Sequence, residues 1–263
     1  MSIKNILFIP VFLFIISFAN AGPHYGRQGS GNDRKKFSFS FNPGYGIPLM
    51  DFAKKSYLPL TDSTHAYGFA NPGFHFEVCA SYLFTEYVGV SADFGGTICP
   101  FDENAFAAAY TPVYPTSFLV PTNSTVSADG SNFIAQYLIG PYFSIPVNDK
   151  FSFDIRIMAG LLSSTYPDIT ITSNVPNNYS SYFYKYAVGQ GFGYGASVGA
   201  KYLFDPNVAV VADVHYAGGN ITYSGLDYNY TTPSGFLYGG FSFSDRTMSI
   251  GILSFSAGLA LCF

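Results

Sequence analysis

The chain has 263 residues, of which 19% are aromatic (28 Phe, 22 Tyr, no Trp) and only 11% charged, with a formal net charge of −4. Soluble domains carry about 25% charged residues. Disordered chains lack aromatics and nucleic-acid binders carry a basic excess, so neither class fits.

The first segment reads as a secretory signal. Lys4 supplies the positive start, residues 6–18 are apolar except for interruptions such as Pro10 and Ser17, and Ala19-Asn20-Ala21 is an A-x-A cleavage site. The signal therefore spans 1–21 and the mature chain begins at Gly22. Residues 22–36, with Arg27, Arg34, Lys35 and Lys36, read as a flexible lead. Beyond residue 22 no apolar run approaches the roughly 20 residues that a transmembrane helix needs.

From residue 37 the sequence alternates. Phe37-Ser-Phe39-Ser-Phe41 sets the pattern, and Phe151-Ser-Phe153-Asp-Ile155-Arg-Ile157 is its cleanest instance. Period two means strands with two unlike faces. Eight strands follow, at about 37–47, 70–84, 87–98, 133–145, 151–163, 188–204, 208–219 and 247–263. Their connections alternate strictly. Short turns fall at Thr85-Glu86, at 146–150 and at Asp205-Pro206-Asn207, whereas the other connections are long and rich in Asn, Ser, Thr, Tyr and Pro. All short turns then lie at one end of an up-and-down sheet closed on itself. Transmembrane β-barrels show this asymmetry, with periplasmic turns and long extracellular loops. The expected fold is all-β, an eight-stranded antiparallel up-and-down transmembrane barrel over 37–263. A hairpin within the second long loop would raise the count to ten. The ends of strands seven and eight are expected to continue as a ribbon over 220–230 and 236–244.

The two faces agree with a membrane setting. One parity is bulky and aromatic. The other holds every charge of the strand cores: Glu77, Asp93, Asp154, Arg156, Lys201 and Asp213. Aromatics gather near the turns, at Tyr82, Phe84, Tyr87, Phe143, Phe151, Tyr202 and Phe204, as interfacial girdles do. Cys79, Cys99 and Cys262 form neither an even disulfide framework nor a metal spacing and read as buried free thiols.

With this pattern the chain resembles the small OmpA/OmpX-type outer-membrane barrels of Gram-negative bacteria, over residues 37 to 263. The Phe-Asp-Ile-Arg-Ile stretch at 153–157 is similar to outer-membrane barrel domains of the Bacteroidetes type. The resemblance implies a bacterial outer-membrane location, with lipid and lipopolysaccharide as surroundings. It also implies that Phe255, Leu259, Leu261 and the C-terminal Phe263 form the signal read by the barrel-assembly machinery. No cell-wall-binding domain follows the barrel, so a tether to the wall is not implied.

An eight-stranded barrel has an interior that side chains fill. The inward charges, with His215 beside Asp213, are expected to meet in one central layer. Two cations there face four carboxylates, so either one carboxylate is protonated or His215 is charged. A sealing network is the first reading and a gated narrow pore the second. The inward glycines 189, 191, 193, 195 and 199 leave room for large neighbours such as Tyr142, Arg156 or Met158. Gly191-x-Gly193-x-x-Ala196 lacks the helix that a dinucleotide fingerprint requires. A lipid-modifying enzyme is the third reading: Asp213-x-His215 with Ser197 or Ser254 has the residue types of a triad, but no motif selects a serine. No catalytic residue, metal ligand or cofactor is assigned, His65 and His75 offering no metal spacing, and no nucleic-acid partner. The long loops are the functional candidates, through Phe101, Phe106, Tyr110, Tyr114 and Phe118 in the second loop and Tyr223, Tyr228 and Tyr230 in the fourth. Aromatic loop residues on a rigid scaffold suit surface binding or adhesion.

Overall fold

The computed structural model describes residues 35–56, 65–110, 124–173, 181–184, 187–224, 227–231, 237–242 and 245–263. The expected signal at 1–21 lies outside these residues, as does all of the lead but Lys35 and Lys36. In chain order the strands are β1 (Phe37–Leu49), β2 (Gly73–Leu83), β3 (Val88–Cys99), β4 (Ser124–Asp129), β5 (Asn132–Pro146), β6 (Phe151–Tyr166), β7 (Asp168–Ser173), β8 (Ser181–Tyr184), β9 (Ala187–Asp205), β10 (Val208–Tyr223), β11 (Asp227–Thr231), β12 (Leu237–Ser242) and β13 (Arg246–Cys262). Among the described residues two helices sit in the long connections, α1 (Met50–Ala53) and α2 (Glu103–Tyr110). None of the described helices is long and apolar enough to cross a membrane.

Eight strands close into a barrel in the order β1-β13-β10-β9-β6-β5-β3-β2, with antiparallel neighbours throughout. The seam joins the first strand to the last, from Ser38↔Cys262 to Leu49↔Gly251. Phe37 and Phe263 exchange backbone hydrogen bonds of 3.2 and 2.8 Å at its foot. Every barrel strand has between 11 and 19 residues, enough for the 9–11 that a tilted transmembrane strand needs.

The sequence sets each short turn locally. Thr85 Oγ1 accepts the N–H groups of Tyr87 and Val88 at 3.3 and 3.0 Å. Asn148 Oδ1 accepts those of Lys150 and Phe151, both at 2.9 Å. Asp205 Oδ1 accepts that of Asn207 at 3.2 Å. Thr, Asn and Asp side chains that bond their own backbone two or three residues on make tight turns without help from packing.

The outer face is an apolar belt. Ile139, Ile157, Leu161, Phe192, Val198 and Leu259 are each more than half exposed. Near the turns Phe84, Tyr87, Phe204 and Phe263 are exposed as well, where girdle aromatics belong. The inner face divides in two. Its turn-side half carries buried polar groups, as the alternation predicts, beside a small apolar group of Ala209, Val211, Ala260 and Cys262. Its loop-side half is apolar: Ile134, Leu162, Ile221, Tyr223, Met248, Ile250 and Ile252 pack there with Phe52, Ala70 and Cys99. Cys79 and Cys262 are likewise buried, and all three thiols are free.

The long connections form a second folded layer. β12-β11-β8-β7-β4 make a separate five-stranded antiparallel sheet. β11 and β12 do pair, from Asp227↔Ser242 to Thr231↔Leu237. They do not continue the barrel as a free ribbon, because β11 also pairs with β8. The described part of the second loop contributes α2 and β4, not a hairpin, so the barrel count stays at eight. Phe69, Phe101, Phe106, Ile169 and Ile171 form a small core beneath this sheet. Asp102 caps α2: its carboxylate accepts the Ala105 N–H at 2.9 Å and pairs with Lys55 at 2.7 Å. Those two partners hold the Asp102 carboxyl below its ordinary pKa, Lys55 contributing most.

The belt predicts a parity experiment. Arg156 points inward and Ile157 outward, one residue apart. Ile157→Arg should destabilise the barrel in lipid vesicles by about 2–4 kcal/mol, the cost of a cation on the lipid face near mid-bilayer. Urea titration of vesicle-folded protein, followed by heat-modifiable gel migration, measures it.

Candidate functional site

The candidate site is the lumen, and its residues arrive there by parity. At the turn end a cavity of about 30 Å³ is lined by Ser38, Ser40, Ser81, Asp154 and Lys201 among others, room for about two waters. Lys201 Nζ pairs with Asp154 Oδ2 at 3.0 Å and donates to Tyr142 Oη at 2.9 Å. Ser144 Oγ donates to the other Asp154 oxygen at 2.9 Å.

Above this layer sits Arg156, 5% exposed. Its Nη1 donates to Glu77 Oε1 at 2.7 Å and to Asp93 Oδ2 at 3.0 Å. Its Nη2 donates to Asp213 Oδ2. One guanidinium from β6 thus ties together carboxylates from β2, β3 and β10. Ser91 Oγ donates to the second Asp93 oxygen at 3.1 Å. The second Glu77 oxygen meets His215 Nδ1 at 2.9 Å. The six predicted strand-core charges therefore form two layers and not one: Lys201 and Asp154 separate from the Arg156 cluster, because they lie closer to their turns.

The glycines of β9 make room for other neighbours than those expected. A Cβ at Gly195 would lie 2.9 Å from His215 Nε2, and one at Gly199 would lie 2.9 Å from Asp213 Oδ1. The space at Gly195 is filled by His215 and by Leu138 of β5, that at Gly199 by Asp213 and that at Gly193 by Leu162 of β6, not by Tyr142, Arg156 or Met158. Gly191 and Gly193 lie within β9, and no helix follows them. The triad types do not assemble either. Asp213 serves Arg156, Ser254 Oγ donates to the His215 backbone carbonyl at 3.2 Å, and neither Ser197 Oγ nor His215 Nε2 has a protein partner.

His75, whose spacing in the sequence offers no metal motif, is a further member of the lumen. His75 is fully buried, its Nδ1 2.9 Å from Thr97 Oγ1, and its ring faces His215 edge-on with centroids 6.4 Å apart. Its position two residues before Glu77, on the same parity, was the available signal.

The loop candidates divide. Phe101 and Phe106 are buried in the core under the outer sheet, and Tyr223 is buried in the lumen, where it donates to Ser164 Oγ at 2.8 Å. These three hold structure together and offer no free surface. Tyr110 ends α2, and Tyr228 and Tyr230 lie on β11. Tyr114 and Phe118 lie outside the described residues. Phe255, Leu259, Leu261 and Phe263 all stand exposed on the outer face of the last strand and its end.

No family model and no curated protein sequence matches the chain. Among solved structures it is similar to Ail, the attachment invasion locus protein of Yersinia pestis, at 16% identity and a TM-score of 0.42, covering 86% of this chain and 99% of that one. It is similar to a major outer membrane protein from Thermus thermophilus at 14% identity and a TM-score of 0.40, covering 86% and 99%. It is similar to the outer membrane protease OmpT from Escherichia coli at 10% identity and a TM-score of 0.39, covering 90% and 99%. The barrel assignment itself rests on the closed hydrogen-bonded ring. The solved structures that the chain resembles include outer-membrane proteins.

Proposed function

We propose that the protein is a bacterial outer-membrane barrel whose lumen is a structural core and whose working part is the folded layer at the loop end, acting in surface binding or adhesion. The observation that carries this reading is that layer's own core, in which Phe69, Phe101 and Phe106 from two connections pack on Ile169 and Ile171 from a third. Long connections that only link strands have no need to bury aromatics together. A rigid platform is what a binding surface requires. Short turns at the opposite end support an extracellular position for the platform. Export through a signal cleaved after Ala21, and reading of Phe255, Leu259, Leu261 and Phe263 by the barrel-assembly machinery, belong to the same proposal, as does contact with lipopolysaccharide.

A narrow pore would need a path through the Arg156 cluster and then through the apolar packing above it. That barrier favours the sealed reading. The lipid-enzyme reading has no assembled serine and histidine behind it among the described residues.

Three outcomes are expected. Bacteria displaying the protein should adhere to target cells above a vector control, and a Phe106→Asp variant, which breaks the platform's core, should lose adhesion while keeping heat-modifiable migration. Equal adhesion with and without the protein would overturn the binding role. In planar bilayers the native barrel should show no steady conductance; a stable open level would favour the pore. Arg156→Leu strands three buried carboxylates and should cost about 3–5 kcal/mol of stability, read by urea titration in vesicles.

A further inference from the structure

The lumen cluster carries a consequence in its charge. Arg156 faces Glu77, Asp93 and Asp213, each of them buried. With the histidines neutral, one cation meets three anions. Lys201 cannot help, since it is paired with Asp154 one layer below. Two positive charges are missing from a water-poor site, where unpaired charge is costly. Two protons or one divalent cation would restore balance.

The geometry points to the cation. One ligating atom each from His75, Glu77 and His215 lie within 4.8 Å of one another, and all three residues are buried. His75 holds Thr97 Oγ1 through Nδ1, while its Nε2 is buried without a partner. Metal-binding imidazoles characteristically have one nitrogen anchored by an oxygen and the other free for the ion. His215 Nδ1 lies 2.9 Å from Glu77 Oε2 and 3.4 Å from Gln136 Nε2, and a metal would replace the proton it shares with Glu77. The remaining Glu77 oxygen stays on Arg156, which fixes the carboxylate's direction.

We propose that His75, Glu77 and His215 form a binding site for a divalent transition-metal ion, of the zinc class, inside the barrel. Two imidazoles and one carboxylate are a borderline donor set that suits zinc over calcium or magnesium. The ion links β2 to β10 across the lumen and neutralises the excess negative charge left by Arg156. This site is independent of any surface binding by the outer layer.

Full-length mature protein, folded in detergent after stripping with chelator, provides the test. After incubation with zinc chloride and desalting, elemental analysis should find about one zinc per folded chain, and the temperature of the heat-modifiable transition should rise, since an ion that binds only the folded state stabilises it. Cobalt(II) in place of zinc should give visible d–d absorption. His75→Gln should weaken zinc binding more than tenfold. Cys79→Ser, which alters the neighbouring Glu77–Cys79–Asp93 group, should leave binding unchanged. Folded native protein that takes up no zinc above background and shows no thermal shift would overturn the site and leave two protons as the balancing charge. Zinc binding abolished by Cys79→Ser but retained by His75→Gln would overturn the assignment of ligands. The native measurement stands alone should the His75→Gln variant fail to fold.

Discussion

A strand in hydrocarbon has no water to satisfy its backbone, so each N–H and C=O must find another strand. Closing the ring between β1 and β13 is the step that removes the last free edges. The rest follows from that closure. With eight strands the interior has the width of side chains, not of a channel, so whatever points inward must pack or pair. A residue's parity thus decides its solvent. Arg156 and Ile157 are adjacent in sequence and occupy a charge cluster and the apolar belt.

Within that narrow interior the polar and apolar halves are arranged by access to water. The turn end holds a small cavity with Ser38, Ser40 and Ser81 at its walls, and Lys201 pairs there with Asp154 at an ordinary 3.0 Å. Farther in, carboxylates reach Arg156 from three strands, so a single side chain sets the spacing of β2, β3 and β10 relative to β6. Beyond it the wall becomes aliphatic, with Ile221, Met248 and Ile250 completely buried. Such a cluster gains little stability over an apolar core of equal volume. What it adds is directionality, because hydrogen bonds accept far fewer arrangements than Leu and Ile contacts do.

The strand pattern was legible because strands such as β2 alternate along their length and the turns carry their own signals in Thr85, Asn148 and Asp205. The membership of the lumen was legible for the same reason. Levels along the barrel axis were less so. Parity places Lys201 and Arg156 on the same inner face, but their heights depend on strand tilt and register, and they lie in different layers. The link of His75 to the cluster was not legible because its partner His215 is distant in sequence and only closure brings the two within one ring contact. The loop aromatics misled for a related cause. Tyr223 lies on the inward parity of β10, which runs past the expected end at 219, whereas Phe101 and Phe106 lie beyond the alternating strands, where period two no longer tells inside from outside. Their burial depends on contacts among separate connections, which no local pattern encodes.

The apolar upper lumen and the outer platform are best understood as one construction. Phe52 and Ala70, from the first long connection, pack into the aliphatic group inside the barrel, whereas Phe69, between them and next to Ala70, packs into the core under the outer sheet. Tyr166, at the end of β6, rests against both groups and donates to the Tyr67 carbonyl at 3.0 Å. A lid that swung open would have to draw Phe52 out of the barrel and expose the aliphatic wall to water, at roughly 25 cal/mol for each Å² of apolar surface. Gating lids carry few buried contacts at their hinges, and this one is stitched to the wall by buried side chains. The same stitching explains why the inward residues near the loop end can be Ile and Met: water is kept out from above by the platform and from below by the Arg156 cluster. The outer layer is thereby a fixed extension of the barrel.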